Sequence, residues 1–186
     1  MKKIISKIYF YLLRAVYKAK SNNKSVIGKF TENQPVVLKG KGKIVFGKDV
    51  NFGVVNSPLF YNSYAYIEAR NKDSVVTFGN NIKINNSISL VAEKSITVED
   101  DVLIGYNCSI MDSDFHDLSP LQRSSGKHIA SSVTICKNVF IGNNVTILKG
   151  VTIGENSVVA ASSTVTKTFP SNVIIAGNPA NIVREL

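Results

Sequence analysis

"VTICKNVFIGNNVTILKGVTIGENSVVAASSTVTKT", Val133 to Thr168, repeats every six residues. Ile135, Ile141, Ile147, Ile153, Val159 and Val165 stand six apart, and four residues after each comes a second position, held by Val139, Val145, Val151, Ser157, Ser163 and Phe169. Each unit reads as three extended residues pointing in, out and in, such as Val145-Thr146-Ile147. A corner such as Gly142-Asn143-Asn144 separates one unit from the next. Alternation makes the strand, and Gly and Asn accept the positive φ of a sharp corner. A period of six does not match the helical turn, and enrichment in Val, Ile and Thr favours extended chain. Short strands joined by regular corners wind into a three-sided prism. Each coil buries its aliphatic stripe against the coils above and below, so the sequence predicts a β-solenoid held together by stacking.

Upstream the same period appears at Phe78, Ile84 and Leu90, then at Val98, Ile104 and Ile110, with fainter traces at Phe46 and Phe52. The eight-residue step from Leu90 to Val98 predicts a bulged corner. After Ile110 the count fails. "MDSDFHDLSP", Met111 to Pro120, crowds Asp112, Asp114 and Asp117 around His116, one of only 2 histidines. The interruption reads as a loop at 111–132 extruded from the coil. The chain then divides into a basic amphipathic helix at 1–25, the β-helix at 26–169 with its loop, and a cap at 170–186.

At 186 residues and 44% hydrophobic content the chain suits one globular domain. Its net charge of +9 is concentrated at one end: residues 1–31 hold eight Lys or Arg and no acid, and the rest is nearly neutral. No nucleic-acid partner is expected. In "MKKIISKIYFYLLRAVYKAK", Ile5, Ile8, Leu12 and Val16 fall at helical spacing, widened by Ile4, Tyr9 and Leu13. Lys7 and Arg14 interrupt any apolar run, so the segment does not read as a spanning helix. It lacks the uncharged core of a signal peptide. Two placements are open: the stripe packs on the body or a neighbouring subunit, or it rests on anionic lipid through residues 1–20. Cys108 and Cys136 make no disulfide framework and suit a reducing compartment, which places the protein in the cytoplasm or at the inner face of its membrane. Cys108 takes a repeat position and reads as a small core residue.

"VLIGYNCSIMDSDFHD", "VFIGNNVTILKGVTIGENSVVAASSTVTK" and the ending "VIIAGNPANIVREL" resemble the hexapeptide-repeat acyltransferases across most of residues 40–186. The resemblance is closest to galactoside and maltose O-acetyltransferases and to acetyltransferases of surface polysaccharides. It implies a left-handed parallel β-helix, an exception to the usual crossover hand. It also implies acetyl-CoA as acyl donor, a carbohydrate acceptor, no metal, and a homotrimer with each site between two subunits.

In such enzymes a loop leaves the coil just before the active-site histidine, the position of His116. Moving an acetyl group from a thioester to a hydroxyl requires that the hydroxyl lose its proton, and neutral imidazole suits that task. The other ring nitrogen needs a partner; Asp112, Asp114, Asp117 and backbone carbonyls are all candidates, with Asp114 carried forward as the catalytic carboxylate. Asn85 matches an asparagine that contacts the acceptor or the reacting oxygen, although an Asn also suits a corner. Glu93 falls where relatives carry an acid near the acceptor. On the coenzyme side the resemblance points to Gly142, Asn143, Ala160 and Ala161 at small corners. It points also to Phe140 where many relatives have Trp, and to Thr166, Lys167 and Arg184 near phosphates. His128 reads as a loop-surface residue, and residues 121–131 supply no carboxylate. N-acetylation of an amino-sugar nucleotide and a non-catalytic scaffold are the rival readings. A zinc-dependent hexapeptide-repeat carbonic anhydrase would need three histidines, against the two here.

Overall fold

The computed structural model describes residues 2–124 and 128–186; the side chains of residues 2–7, among them Ile4, Ile5 and Lys7, and residues 125–127 of the loop, lie outside what it describes. A helix, α1 (Lys2–Lys20), precedes six coils. The first coil is β1 (Val26–Ile27), β2 (Phe30–Glu32) and β3 (Val36–Gly40); the second is β4 (Lys43–Phe46), β5 (Val50–Phe52) and β6 (Ala65–Ala69). The third holds β7 (Val75–Phe78), β8 (Lys83–Ile84) and β9 (Ser89–Ala92), and the fourth β10 (Ser95–Val98), β11 (Leu103–Ile104) and β12 (Ser109–Met111). Beyond the loop come β13 (Val133–Ile135), β14 (Phe140–Ile141) and β15 (Thr146–Ile147), then β16 (Thr152–Ile153), β17 (Val158–Val159) and β18 (Thr164–Val165). β19 (Val173–Gly177) and β20 (Ala180–Glu185) close the far end.

Three parallel sheets form the prism. Face A runs β1-β4-β7-β10-β13-β16, face B runs β2-β5-β8-β11-β14-β17-β19-β20, and face C runs β3-β6-β9-β12-β15-β18. Coiling continues past residue 169, since β19 pairs parallel with β17; only β20 turns back antiparallel. The predicted inward positions line up in register, Ile135 beside Ile153 and Ile141 beside Val159, all with no exposure. Burying each such side chain contributes about 1.5–3 kcal/mol. In the first coils phenylalanines take over, with Phe46 and Phe78 stacked 5.1 Å apart. The corners work as expected: Asn138, Asn144, Gly150, Asn156 and Ser162, six apart, all hold positive φ between 56 and 75°.

Two features were not anticipated. A second excursion, residues 53–64, leaves the edge between faces B and C. Two fully buried amides fasten it. Gln34 donates to the Leu59 carbonyl and to Ser63 Oγ, and Asn86 donates to the carbonyls of Val54 and Pro58. In addition, α1 uses a different stripe from the one read in the sequence. Phe10 is buried against Phe60 at 4.7 Å, Tyr17 lies 4.8 Å from Tyr64, and Arg14 donates to the Asn33 carbonyl at 2.9 Å. Ile8, Leu12 and Val16 face solvent. The reason is local: the aromatic excursion offers Phe10 and Tyr17 partners of matching shape. Next to the helix, Glu32, Ser21 and Asn22 side chains accept from the otherwise unpaired N–H groups of edge strand β3.

Candidate functional site

The loop after Met111 begins as a stitched stem. Asp112 is fully buried and accepts from the N–H groups of Glu93 and Lys94, both at 2.8 Å, so it closes the bulged corner of the coil before. The Asp112 carbonyl accepts from Ser131, and Ser113 pairs antiparallel with Ala130. Glu93, with its side chain 7% exposed, accepts from Ser113 Oγ at 2.6 Å, contacts His128 Nε2, and lies 3.7 Å from Arg70. The Arg70 guanidinium sits 4.5 Å over the Phe115 ring and pairs with Glu68 at 3.1 Å. Burial pushes the Glu68 carboxyl up, but hydrogen bonds from Arg70 and Tyr66 outweigh it and hold the group below its ordinary value. Tyr66 is pushed up to about 12 by burial and by its bond to Glu68. His128, Glu93 and Arg70 thus form one network at the root of the loop. Glu93's place in the eight-residue corner was the sequence signal for it.

At the tip, exposed His116 lies with Nδ1 3.1 Å from the Arg123 carbonyl oxygen. A carbonyl has no hydrogen to give, so Nδ1–H donates, and a neutral ring keeps a bare lone pair on Nε2. None of the three aspartates holds the ring. Asp112 serves the corner, Asp114 pairs with Lys149 at 3.0 Å, and Asp117 accepts from the Ser119 N–H at 2.7 Å. Of the candidate partners, the ring therefore takes a backbone carbonyl, and Asp114, carried forward as the catalytic carboxylate, pairs elsewhere. Asp114 instead lines a cleft of about 270 Å³ with Ser113, Phe115, Leu148, Lys149 and Thr166. His116 itself does not line it; its neighbour Phe115 does.

A larger groove, about 480 Å³, runs outside face B. Asn85, Phe140 and Asn143 line it, together with Lys83 and Leu103, two residues sequence reasoning missed. Phe140 is 47% exposed and stacks in register on Leu103, which stacks on Lys83. Asn143 Oδ1 is occupied by the Tyr106 N–H. Gly142 is required by stacking alone, because a Cβ there would meet the Ala161 nitrogen at 2.6 Å. Ala160 and Ala161 form the same corner one coil on. Thr166 and Lys167 are exposed at the next corner round, with Lys167 Nζ donating to Asn181 Oδ1, and Arg184 is exposed on β20. Cys108 is buried, and burial pushes its thiol up to about 11, as befits a packing residue. Among the described residues no group of three or more His, Cys, Asp or Glu is placed to hold a metal. The candidates therefore divide between two edges. Asn85, Phe140, Gly142, Asn143, Ala160 and Ala161 lie by the edge between faces B and C. His116, Asp114, Thr166 and Lys167 lie where face C passes to face A. A single chain does not bring His116 to Asn85.

Residues 128–167 match the family model described as bacterial transferase hexapeptide (six repeats). The chain is 30% identical to a galactoside O-acetyltransferase of Escherichia coli (strain K12) over 61% of its own length and 55% of that protein's. It thus spans little more than half of this relative. It is 29% identical, over 81% of its length and 76% of the other's, to WbbJ of the same strain, which carries the name of a lipopolysaccharide-biosynthesis O-acetyl transferase. A hexapeptide-repeat acetyltransferase from Vibrio cholerae O1 biovar eltor, solved with acetyl coenzyme A, superposes with a TM-score of 0.58 at 25% identity, covering 92% of this chain and 75% of that one. The chain therefore carries the hexapeptide repeat of the bacterial transferases on a left-handed β-helix, as the resemblance in its sequence implies.

Proposed function

We propose that this protein is an acetyl-CoA-dependent O-acetyltransferase that modifies a sugar hydroxyl in surface-polysaccharide assembly, with His116 as general base. The observation that carries the reading is the Arg123 carbonyl on His116 Nδ1, which leaves Nε2 free to take a proton. The names of the relatives and the acetyl coenzyme A in a similar fold support the class.

In this mechanism the acceptor hydroxyl gives its proton to His116 Nε2 as its oxygen attacks the thioester carbonyl. The acetyl group passes to the sugar oxygen, and the departing thiolate recovers a proton from the imidazolium. Acetyl-CoA supplies the activated acyl group. The narrow corners at Gly142, Ala160 and Ala161 suit an extended arm, Phe140 an apolar neighbour, and Lys167 and Arg184 phosphate oxygens. Asn85 would hold the acceptor hydroxyl or the developing oxyanion.

The division between two edges favours a cyclic assembly, in which unlike patches of neighbouring copies meet. A homotrimer of this kind would set His116 of one subunit opposite Asn85 of the next. Coenzyme release with free sugars, sugar nucleotides and polymeric glycans tests the activity. His116→Ala is expected to slow release on the best acceptor by ~10²–10⁴-fold, and an unchanged rate overturns the assignment. Mixed oligomers of His116→Ala and Asn85→Ala subunits are expected to recover activity that neither variant has alone. No recovery would overturn the reading that neighbouring subunits share one site.

A further inference from the structure

The most unusual surface of the molecule is the outer side of α1. From Ile8 to Val16 every exposed residue is apolar or aromatic: Ile8 is 55% exposed, Tyr11 73%, Leu12 57% and Val16 51%, with Tyr9 and Ala15 beside them. The one charged residue in that span, Arg14, is turned inward to the Asn33 carbonyl. An ordinary surface helix has the opposite polarity, its apolar stripe on the body and its charges in water. Here Phe10 and Tyr17 satisfy the body, so the outward stripe is a second apolar face that the fold itself does not use.

Charge surrounds that face. Lys18 and Lys20 follow it in the last turn of the helix. The helix runs beside β3, the edge of face C, at the same end of the prism where β1 is the edge of face A. Around β1, Lys24, Lys41, Lys43 and Lys72 line one shallow groove with half-exposed Ile27. Among the described residues none of these six lysines forms an ion pair within the chain. Residues 1–31 carry eight basic side chains and no acid, while the remainder is nearly balanced.

We propose that this end of the protein docks on an anionic lipid surface, with Ile8, Tyr11, Leu12 and Val16 entering the headgroup boundary and the lysines reading its negative charge. Apolar contact and electrostatic attraction together are what interfacial helices need; either alone binds weakly. A second copy of the chain is the less suitable occupant, since two such ends would bring like charges together. No helix among the described residues is long and apolar enough to cross a membrane, so the contact is peripheral. The inference is independent of the active-site reading: it uses none of the same residues, and a soluble acceptor should be acetylated equally with or without vesicles.

The test is flotation of the full chain with vesicles of phosphatidylcholine alone and of phosphatidylcholine mixed with phosphatidylglycerol, in low and high salt. Wild type is expected to float only with the anionic vesicles and to be released by salt. Leu12→Ser with Val16→Ser should weaken binding by about tenfold or more. Lys18→Glu with Lys20→Glu should weaken it as well, while far-ultraviolet circular dichroism and melting remain those of wild type. Both pairs sit at exposed positions, so folding is not at stake. Equal binding to neutral vesicles, or none to anionic ones, overturns the proposal. So does a change in sedimentation of the Leu12→Ser, Val16→Ser variant without any vesicle binding by wild type, which would make the stripe a contact between copies.

Discussion

The excursion at 53–64 and the one at 112–132 leave the prism at different edges and are fastened by different chemistry. The first is held by neutral amides: Gln34 and Asn86, both fully buried, bond its carbonyls while Phe60, Tyr61 and Tyr64 form a platform for α1. The second is held at its root by ions, with Asp112 on two N–H groups and Glu93 between Ser113, His128 and Arg70. Its tip is left in water with His116. A neutral, buried fastening gives a fixed surface to pack on. A charged root with a free tip gives a rigid base for a group that must meet a partner. Interrupting a repeat therefore does not by itself mark a functional loop; the two excursions differ in how they are fastened.

That contrast can be broken by substitution. Asp112→Ala removes a fully buried carboxylate and leaves the N–H groups of Glu93 and Lys94 without their acceptor, and is expected to cost about 3 kcal/mol in denaturant unfolding. Asp112→Asn, keeping one acceptor, should cost roughly half of that. Gln34→Ala should cost about 2 kcal/mol and expose 53–64 to protease. Unchanged protease sensitivity would show that the buried amides do not fasten this excursion. Glu93→Gln sharpens the comparison from the other side. Stability should fall by about 1–2 kcal/mol, since the Glu93 side chain is 7% exposed, while coenzyme release falls by up to ~10-fold as His116 loses its rigid root.

The smallest effect is electrostatic and pH-dependent. Glu68 is held below its usual value of 4.5, so the folded chain binds fewer protons there than the unfolded one. Its contribution is complete above that value and is lost as pH falls through the depressed value. The difference in melting temperature between wild type and Glu68→Gln should thus be constant from pH 7 down to about 4.5 and close below it. A difference that grew on acidification would show that Arg70 is not its partner in solution.

Residues 133–165 were legible because each coil there uses the minimum six residues per side, and the inward positions never slip. The first coil and the 53–64 excursion were not. Between Phe52 and Ile67, aligned inward positions of successive faces, the chain wanders, and β3 has three buried residues in a row because the helix covers its outer side. On α1, Ile8-Leu12-Val16 and Phe10-Leu13-Tyr17 have equivalent helical spacing, and periodicity alone cannot tell which of two apolar stripes faces inward. The excursion that carries His116 was legible through the break in the six-residue count. The histidine's partner was not, because a backbone carbonyl leaves no mark in a sequence. The three aspartates were conspicuous by composition, yet each serves the loop's own shape or its pairing with Lys149. His128 looked like surface because its carboxylate lies on the opposite strand system, at Glu93.

Ile135 lies beside Ile153, eighteen residues on, and that spacing governs how such a molecule can change. Removing one hexad would rotate every later residue by a third of a turn, sending Thr166 and Lys167 to the wrong side. Removing three would shorten the column by a storey and leave each face in phase. Length is therefore a free variable for this architecture and phase is not, so viable insertions should arrive as complete storeys or as detours at a corner.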